Sequence, residues 1–162
     1  MINKRTLVAM GAGLVVTAVL VAAIVFIQRG STPRLVGEIS RVRTLEMDPS
    51  SSVAIADFRF TNDSHYAFII ATIDLSVIDF KGETRLGQVI SASDANRLFQ
   101  LFPALGPKTA EPLIIKTKVA PGASVTGMVA ARFELSKTDL DARRKIILTI
   151  TDVDGPVSEL SQ

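Results

Sequence analysis

The sequence predicts a mainly β fold, an antiparallel sandwich of about seven strands with one short helical insert, preceded by an N-terminal transmembrane helix. Three observations carry this reading. Residues 7–27, LVAMGAGLVVTAVLVAAIVFI, hold no charged side chain. Beyond residue 34, apolar and polar residues alternate with a period of two over several short runs. Clusters of Pro, Gly, Asn and Asp punctuate those runs at short spacing.

At about 1.5 Å per helical residue, the run over 7–27 covers a hydrocarbon core of about 30 Å. A helix satisfies its own backbone hydrogen bonds, which lipid without water demands. Lys4 and Arg5 precede the run, and Gln28, Arg29 and Gly30 follow it. A buried helix of a soluble protein normally carries a polar stripe, so a spanning anchor is the better reading. A cleaved signal peptide is the rival, with Ala22 and Ala23 near a cleavage point. Ile24 to Ile27 continue the apolar run, however, and signal cores span only about 7–15 residues. The sequence has no Cys, which excludes a lipid-modified cysteine, a disulfide scaffold and a zinc–thiolate site. Lys4 and Arg5 favour a cytoplasmic tail over residues 1–6, with Arg29 and Arg34 competing. The expected location is therefore the cell membrane, single-pass, with the C-terminal domain periplasmic or extracellular. Ala9, Gly13 and Thr17 recur at four-residue spacing, which suits close approach of two membrane helices and suggests self-association. Plain lipid-facing small residues explain the same pattern.

Residues 28–34 form a polar linker containing GSTPR, and 35–156 form one domain large enough to bury a core. The pI of about 9.2 misleads. Removing Lys4, Arg5, Arg29 and Arg34 from the 18 basic residues leaves 14 against 16 acidic ones. A mildly acidic domain offers no broad basic face for nucleic acid.

Leu35 to Met47 reads as the first strand, with Val36, Ile39, Val42 and Leu45 among charges. DPSSS (48–52) is a turn. Val53 to Thr61 alternates, with Ala54, Ala56, Phe58 and Phe60 on one face and Asp57, Arg59 and Thr61 on the other. NDSH (62–65) breaks it. Tyr66 to Phe80 is the strongest strand, long enough to bend or bulge, with Ile69, Ala71, Ile73, Leu75 and Val77 expected inward. KGE (81–83) turns the chain into Thr84 to Ile90. Ser93 is placed to cap a helix with Asp94 in its first turn, and Pro103 stops it. That helix brings Leu98, Phe99, Leu101 and Phe102. They either plug one end of the sandwich or form a flap that contacts a partner or lipid. Leu113 to Val119 reads as a strand. Pro121-Gly122 turns, and Ser124 to Leu135 alternates with Val125, Val129, Ala131, Phe133 and Leu135 inward. Ser136 or Thr138 caps a short helix through Asp141. Ile146 to Val153 is the last expected strand. Residues 157–162 read as a flexible tail.

The stretch Ala56 to Glu83 joins an apolar strand, FTNDS, and a second strand ending in IDFKGET. Later, the APGAS turn (Ala120 to Ser124) leads into VTGMVAARFEL. This pattern over roughly 55–155 resembles the membrane-anchored, immunoglobulin-like domains of the LEA type 2 (WHy) and FxLYD kind. It lacks the FxLYD tyrosine signature, and the insert at 92–103 is additional. The resemblance implies an immunoglobulin-like sandwich with a binding or structural role. It carries over no catalytic residue.

The side chains name no reaction centre. His65 is the only histidine and lies in a turn. Asp152 and Asp154 before Gly155 look like a calcium-loop fragment but lack the further ligands at fixed spacing. Asp139 and Asp141 suit a helix first turn. Arg143, Arg144 and Lys145 form the densest basic run, a candidate for anionic membrane headgroups. Ser and Thr are frequent, but no base with an orienting acid accompanies them. The expected function is non-enzymatic, without cofactor or metal. The domain is expected to bind a protein partner in the cell envelope. The alternative is a lipid-contacting or envelope-maintenance protein using the apolar insert.

Overall fold

The structure is a computed structural model that describes residues 34–162. The expected tail, transmembrane helix and most of the linker lie outside the described residues, as do Ala9, Gly13 and Thr17. Among the described residues, no helix is long and apolar enough to cross a membrane.

Nine strands form among the described residues. They are β1 (Leu35–Asp48), β2 (Ser51–Asn62), β3 (Phe68–Ile78), β4 (Thr84–Leu86), β5 (Gln88–Val89), β6 (Lys118–Val119), β7 (Ser124–Phe133), β8 (Lys145–Asp152) and β9 (Val157–Ser161). Two helices interrupt them, α1 (Ala92–Leu101) and α2 (Lys137–Asp141), and a 3-10 turn over Pro103–Leu105 follows α1. One sheet has the order β1-β2-β7-β5, and the other has β4-β3-β8-β9 with β6 pairing onto β3. All strand pairs are antiparallel. The orders β1-β2-β7-β5 and β3-β8-β9 match the two sheets of a constant-type immunoglobulin sandwich, with β4 added beside β3.

The core between the sheets follows the period-two pattern. Ala54, Ala56, Phe58 and Phe60 of β2 and Val129, Ala131 and Phe133 of β7 meet Leu75 and Val77 of β3 and Leu148 and Ile150 of β8. Phe58 and Phe60 lie two residues apart on one face, and their rings stack with centroids 5.3 Å apart.

Five local expectations are corrected. First, β3 carries a bulge between Ile70 and Thr72. The extra residue flips the alternation, so Phe68 and Ile70 face inward before the bulge, rather than Ile69 and Ala71. Second, Thr84 to Ile90 is not one strand. β4 pairs with β3 in one sheet, and β5 pairs with β7 in the other. The chain crosses at Gly87, where an added Cβ would sit 2.6 Å from Phe133 Cζ and 2.9 Å from Ala131 Cβ. Third, Leu113 to Val119 holds only β6. Before it, Ile114 to Thr117 closes a turn with Lys116 at φ 67. Fourth, the α1 cap is Ser91, two residues earlier than expected. Its Oγ accepts from Asp94 N at 3.2 Å and donates to Asp94 Oδ2 at 2.7 Å. Fifth, residues 157–161 are not a free tail. They pair with β8 as β9, burying Leu160 and Ser158, and the Ser158 hydroxyl accepts from Leu35 N at 3.0 Å. Val157, Glu159 and Ser161 face outward and Ser158 and Leu160 inward, which suffices for an edge strand when β8 supplies the partner.

The short β1–β2 turn is held by Asp48, which accepts from Ser50 N and Ser50 Oγ at 2.8 Å each and from the Ser51 hydroxyl. The Ser51 hydroxyl first, then Ser50, lowers its pKa from 3.8 to about 2. A depressed folded-state pKa stabilises fully above 3.8, and the contribution is lost as pH falls through about 2. The urea midpoint of Asp48→Asn is expected below that of wild type at neutral pH, with the gap closing in acid. Gly87→Ala is expected to cost about 1–3 kcal/mol in the same assay, because Phe133 and Ala131 are fully packed.

Candidate partner-binding surface

The outward face of β2 and β7 is also apolar. Val53 and Ile55 of β2 and Met128 and Ala130 of β7 form a second core with Ala95 and Leu98 of α1 and Leu105 of the 3-10 turn. The insert therefore lies across the outside of one sheet. It does not plug an end of the sandwich.

An ion pair fastens the insert there. Arg43 of β1 and Asp57 of β2 are both buried. Arg43 Nη2 donates to Asp57 Oδ1 at 2.8 Å and to Oδ2 at 2.6 Å. Its Nη1 donates to the carbonyls of Leu105 at 3.2 Å and Pro107 at 3.0 Å. Thr109 Oγ1 donates to Asp57 Oδ2 at 3.2 Å. The Arg43 guanidinium also lies 4.8 Å from the centroid of the Phe99 ring. Arg43 thus ties its own strand, β1, to β2, the helix and the loop after it.

The four apolar residues expected on the insert part company here. Leu98 is buried at 8% exposure, and Phe99 and Phe102 pack partly against the second core. Leu101 alone points out, 70% exposed. They do not ring an open groove, so the lipid-contacting alternative loses the surface it drew on. The basic run is also redistributed. Arg143 is half-buried and donates Nη1 to the Leu140 carbonyl at 2.9 Å, and burial draws its pKa down. Lys145 stands opposite Ile78, whereas Leu35 lies at the other end beside Ser158. Ser158 pairs with Ile150, so about 17 Å of β8 separates Lys145 from the level of Leu35. His65 is exposed in its turn. Asp152 is buried as a strand-ending clasp, accepting from Ile69 N at 2.6 Å and Asp154 N at 2.9 Å. Asp139 closes the Ser136 cap of α2. Asp141 accepts from Lys137 and from Thr44 Oγ1. Among the described residues, no group of three or more His, Asp or Glu is arranged to hold a metal ion.

An apolar groove does open, but elsewhere. It measures about 560 Å³ and runs between β3, the end of β5 and the loop before β6. Ile73, Val89, Ile90, Leu113, Ile114 and Ile115 line it, and its lining carries no charged residue. Ile114 is 58% and Ile115 53% exposed. A second hollow of about 340 Å³ shares Val89, Ile90 and Ser91 and reaches Met47 and Leu98. The sequence places Ile114 and Ile115 in an expected strand, whereas they lie in the turn before β6. The consecutive isoleucines in PLIIKTK were the available signal, since strict alternation fails there.

No family model matches the chain, and no curated protein does. The LEA type 2 and FxLYD resemblance is therefore one of strand pattern alone. Among solved structures, the chain is similar to the archaellum periplasmic stator protein FlaG from Sulfolobus acidocaldarius, at 12% identity and a TM-score of 0.34, over 81% of this chain and 100% of that one. It is similar to an uncharacterized β-sandwich protein from Clostridium difficile 630, at 10% identity and a TM-score of 0.39, over 79% and 85%. A complex of FlaF and FlaG from Sulfolobus acidocaldarius matches at 10% identity and a TM-score of 0.31, over 78% and 87%. Likeness at this level carries no argument about activity or partners, and the sandwich assignment stands on the two sheets themselves.

The clamp has a testable consequence. Arg43→Ala and Asp57→Ala each strand a buried charge, and each is expected to cost about 3–5 kcal/mol in urea unfolding. The double variant Arg43→Met with Asp57→Leu is expected to recover most of that loss.

Proposed function

We propose that this chain is a non-enzymatic, single-pass membrane protein whose extracytoplasmic sandwich binds a protein partner in the cell envelope. The observation that carries the reading is the uncharged groove with Ile114 and Ile115 at its rim. Large aliphatic side chains left in water beside a concave apolar surface mark protein-binding sites on soluble domains. The uncharged run over 7–27 and the few residues between it and Arg34 support the anchor and a short tether.

Two experiments test the two halves. A photo-crosslinking amino acid at position 114 of the full-length protein in cells is expected to yield one discrete protein adduct, absent when the label sits at Arg97. Equal adducts from both positions, or none, overturn the partner assignment. Alkaline carbonate is expected to leave the full-length protein in the membrane pellet, and external protease to reach the sandwich only after the outer barrier is opened or removed. Release by carbonate overturns the anchor and leaves the groove assignment standing.

A further inference from the structure

The groove coincides with a gap in the hydrogen-bond ladder of β3. Along the β3 edge away from β8, odd-numbered residues face outward beyond the bulge. Gly87 N donates to the Leu75 carbonyl at 2.8 Å, and Asp79 N donates to the Glu83 carbonyl at 2.9 Å. Before the bulge, Ile70 N donates to the Thr117 carbonyl at 3.1 Å and the Ile70 carbonyl accepts from Lys116 N at 2.7 Å. β4 thus covers one end of this edge and β6 the other. Between them lie Ala71 to Asp74, about 13 Å of edge at about 3.3 Å per residue. By this alternation the N–H and C=O of Ile73 face the gap, and neither has a backbone partner on that side among the described residues. The residue that would have paired with Ile73, had β4 run on, is Val89. It has crossed at Gly87 and pairs with Ala131 in the other sheet.

We propose that the groove receives an extended segment of the protein partner, which adds as a short strand against Ile73 and fills the interval between β4 and β6. The inference rests on the partner reading above and names its mode. A strand continuing the direction of β4 runs antiparallel to β3. Its backbone supplies the hydrogen bonds Ile73 lacks, and alternate side chains enter the groove against Ile114 and Ile115. The lining is uncharged, so the segment inside it is uncharged and β-branched. At its C-terminal end it meets Lys116 and Lys118, both exposed, which favours an acidic residue there.

The probe is the blocked peptide acetyl-Thr-Val-Ile-Val-Glu-amide, added to the full-length protein in detergent micelles, with amide hydrogen exchange at Ile73 as readout. Saturating peptide is expected to slow Ile73 exchange by about tenfold or more, while amides on the β8 edge stay unchanged. Methylating the peptide's central nitrogen is expected to abolish that protection on the wild-type protein, and Ile115→Asp to abolish binding. Replacing the terminal Glu by Lys is expected to weaken binding several-fold. Peptide binding without Ile73 protection overturns strand addition. So does Ile73 protection that grows with protein concentration alone, which assigns the edge to a second copy. No binding at millimolar peptide also overturns it, and a crosslinked partner at position 114 would then survive as a partner bound by another mode.

Discussion

The Arg43–Asp57 pair is the interaction on which the arrangement of this domain depends. Removing two charges from water costs several kcal/mol each, and attraction alone rarely offsets it. Here the carboxylate receives two donations from Arg43 and one from Thr109, while the guanidinium reaches two carbonyls and an aromatic face. Among the described residues, Arg43 Nε is the one buried side-chain nitrogen or oxygen without a partner. Such a pair adds less to stability than its geometry suggests, and its clearer effect is to fix one arrangement. The carbonyls of Leu105 and Pro107 dock at a single register. α1 then lies over Val53, Ile55, Met128 and Ala130 rather than swinging into solvent.

That cover explains why β2 is so nearly buried along its length. A strand in a two-layer sandwich should be apolar on one face only. β2 shows buried residues on both faces from Ser51 to Phe58, because the insert adds a third layer on its outer side. The insert is therefore part of the domain's structure, and its apolar residues are largely consumed in holding it.

Much of the sandwich was legible because period-two alternation survives in β2, β7 and β8. The helix α2 was legible for a different reason, since local chemistry decides it, and of the two caps on offer, Ser136 and Thr138, Ser136 takes the role. Asp57, Arg59 and Thr61 give the outer face of β2 a polar pattern in sequence, which conceals the third layer. Val53 and Ile55 share that face, and Met128 and Ala130 repeat the signal on β7. A polar reading of Asp57 is natural until a partner fourteen residues earlier in sequence is known to sit beside it. The β3 bulge hid Phe68 and Ile70, since one extra residue puts the residues before it out of phase with Leu75 and Val77 after it. β9 was missed because a short edge strand draws its order from the neighbour it pairs with. The groove was hidden more deeply, because it belongs to no element and arises from what two elements leave uncovered.

The crossing at Gly87 ties these features together. If the chain ran straight from β4, it would complete the edge of β3 and leave β7 with an open side beside Ala131. By crossing, it gives Gln88 and Val89 to β7 and lets Ile90 N reach the Ala130 carbonyl at 2.8 Å, which leads directly into the Ser91 cap of α1. The outer layer is thus launched from the edge of the sheet it covers. The cost falls on the opposite sheet, where Ile73 loses its pairing strand and the groove opens. A side chain at position 87 would press on Phe133 and Ala131, so the crossing depends on the missing Cβ. The same glycine that seats the insert therefore leaves the uncovered edge on which partner binding is proposed to act.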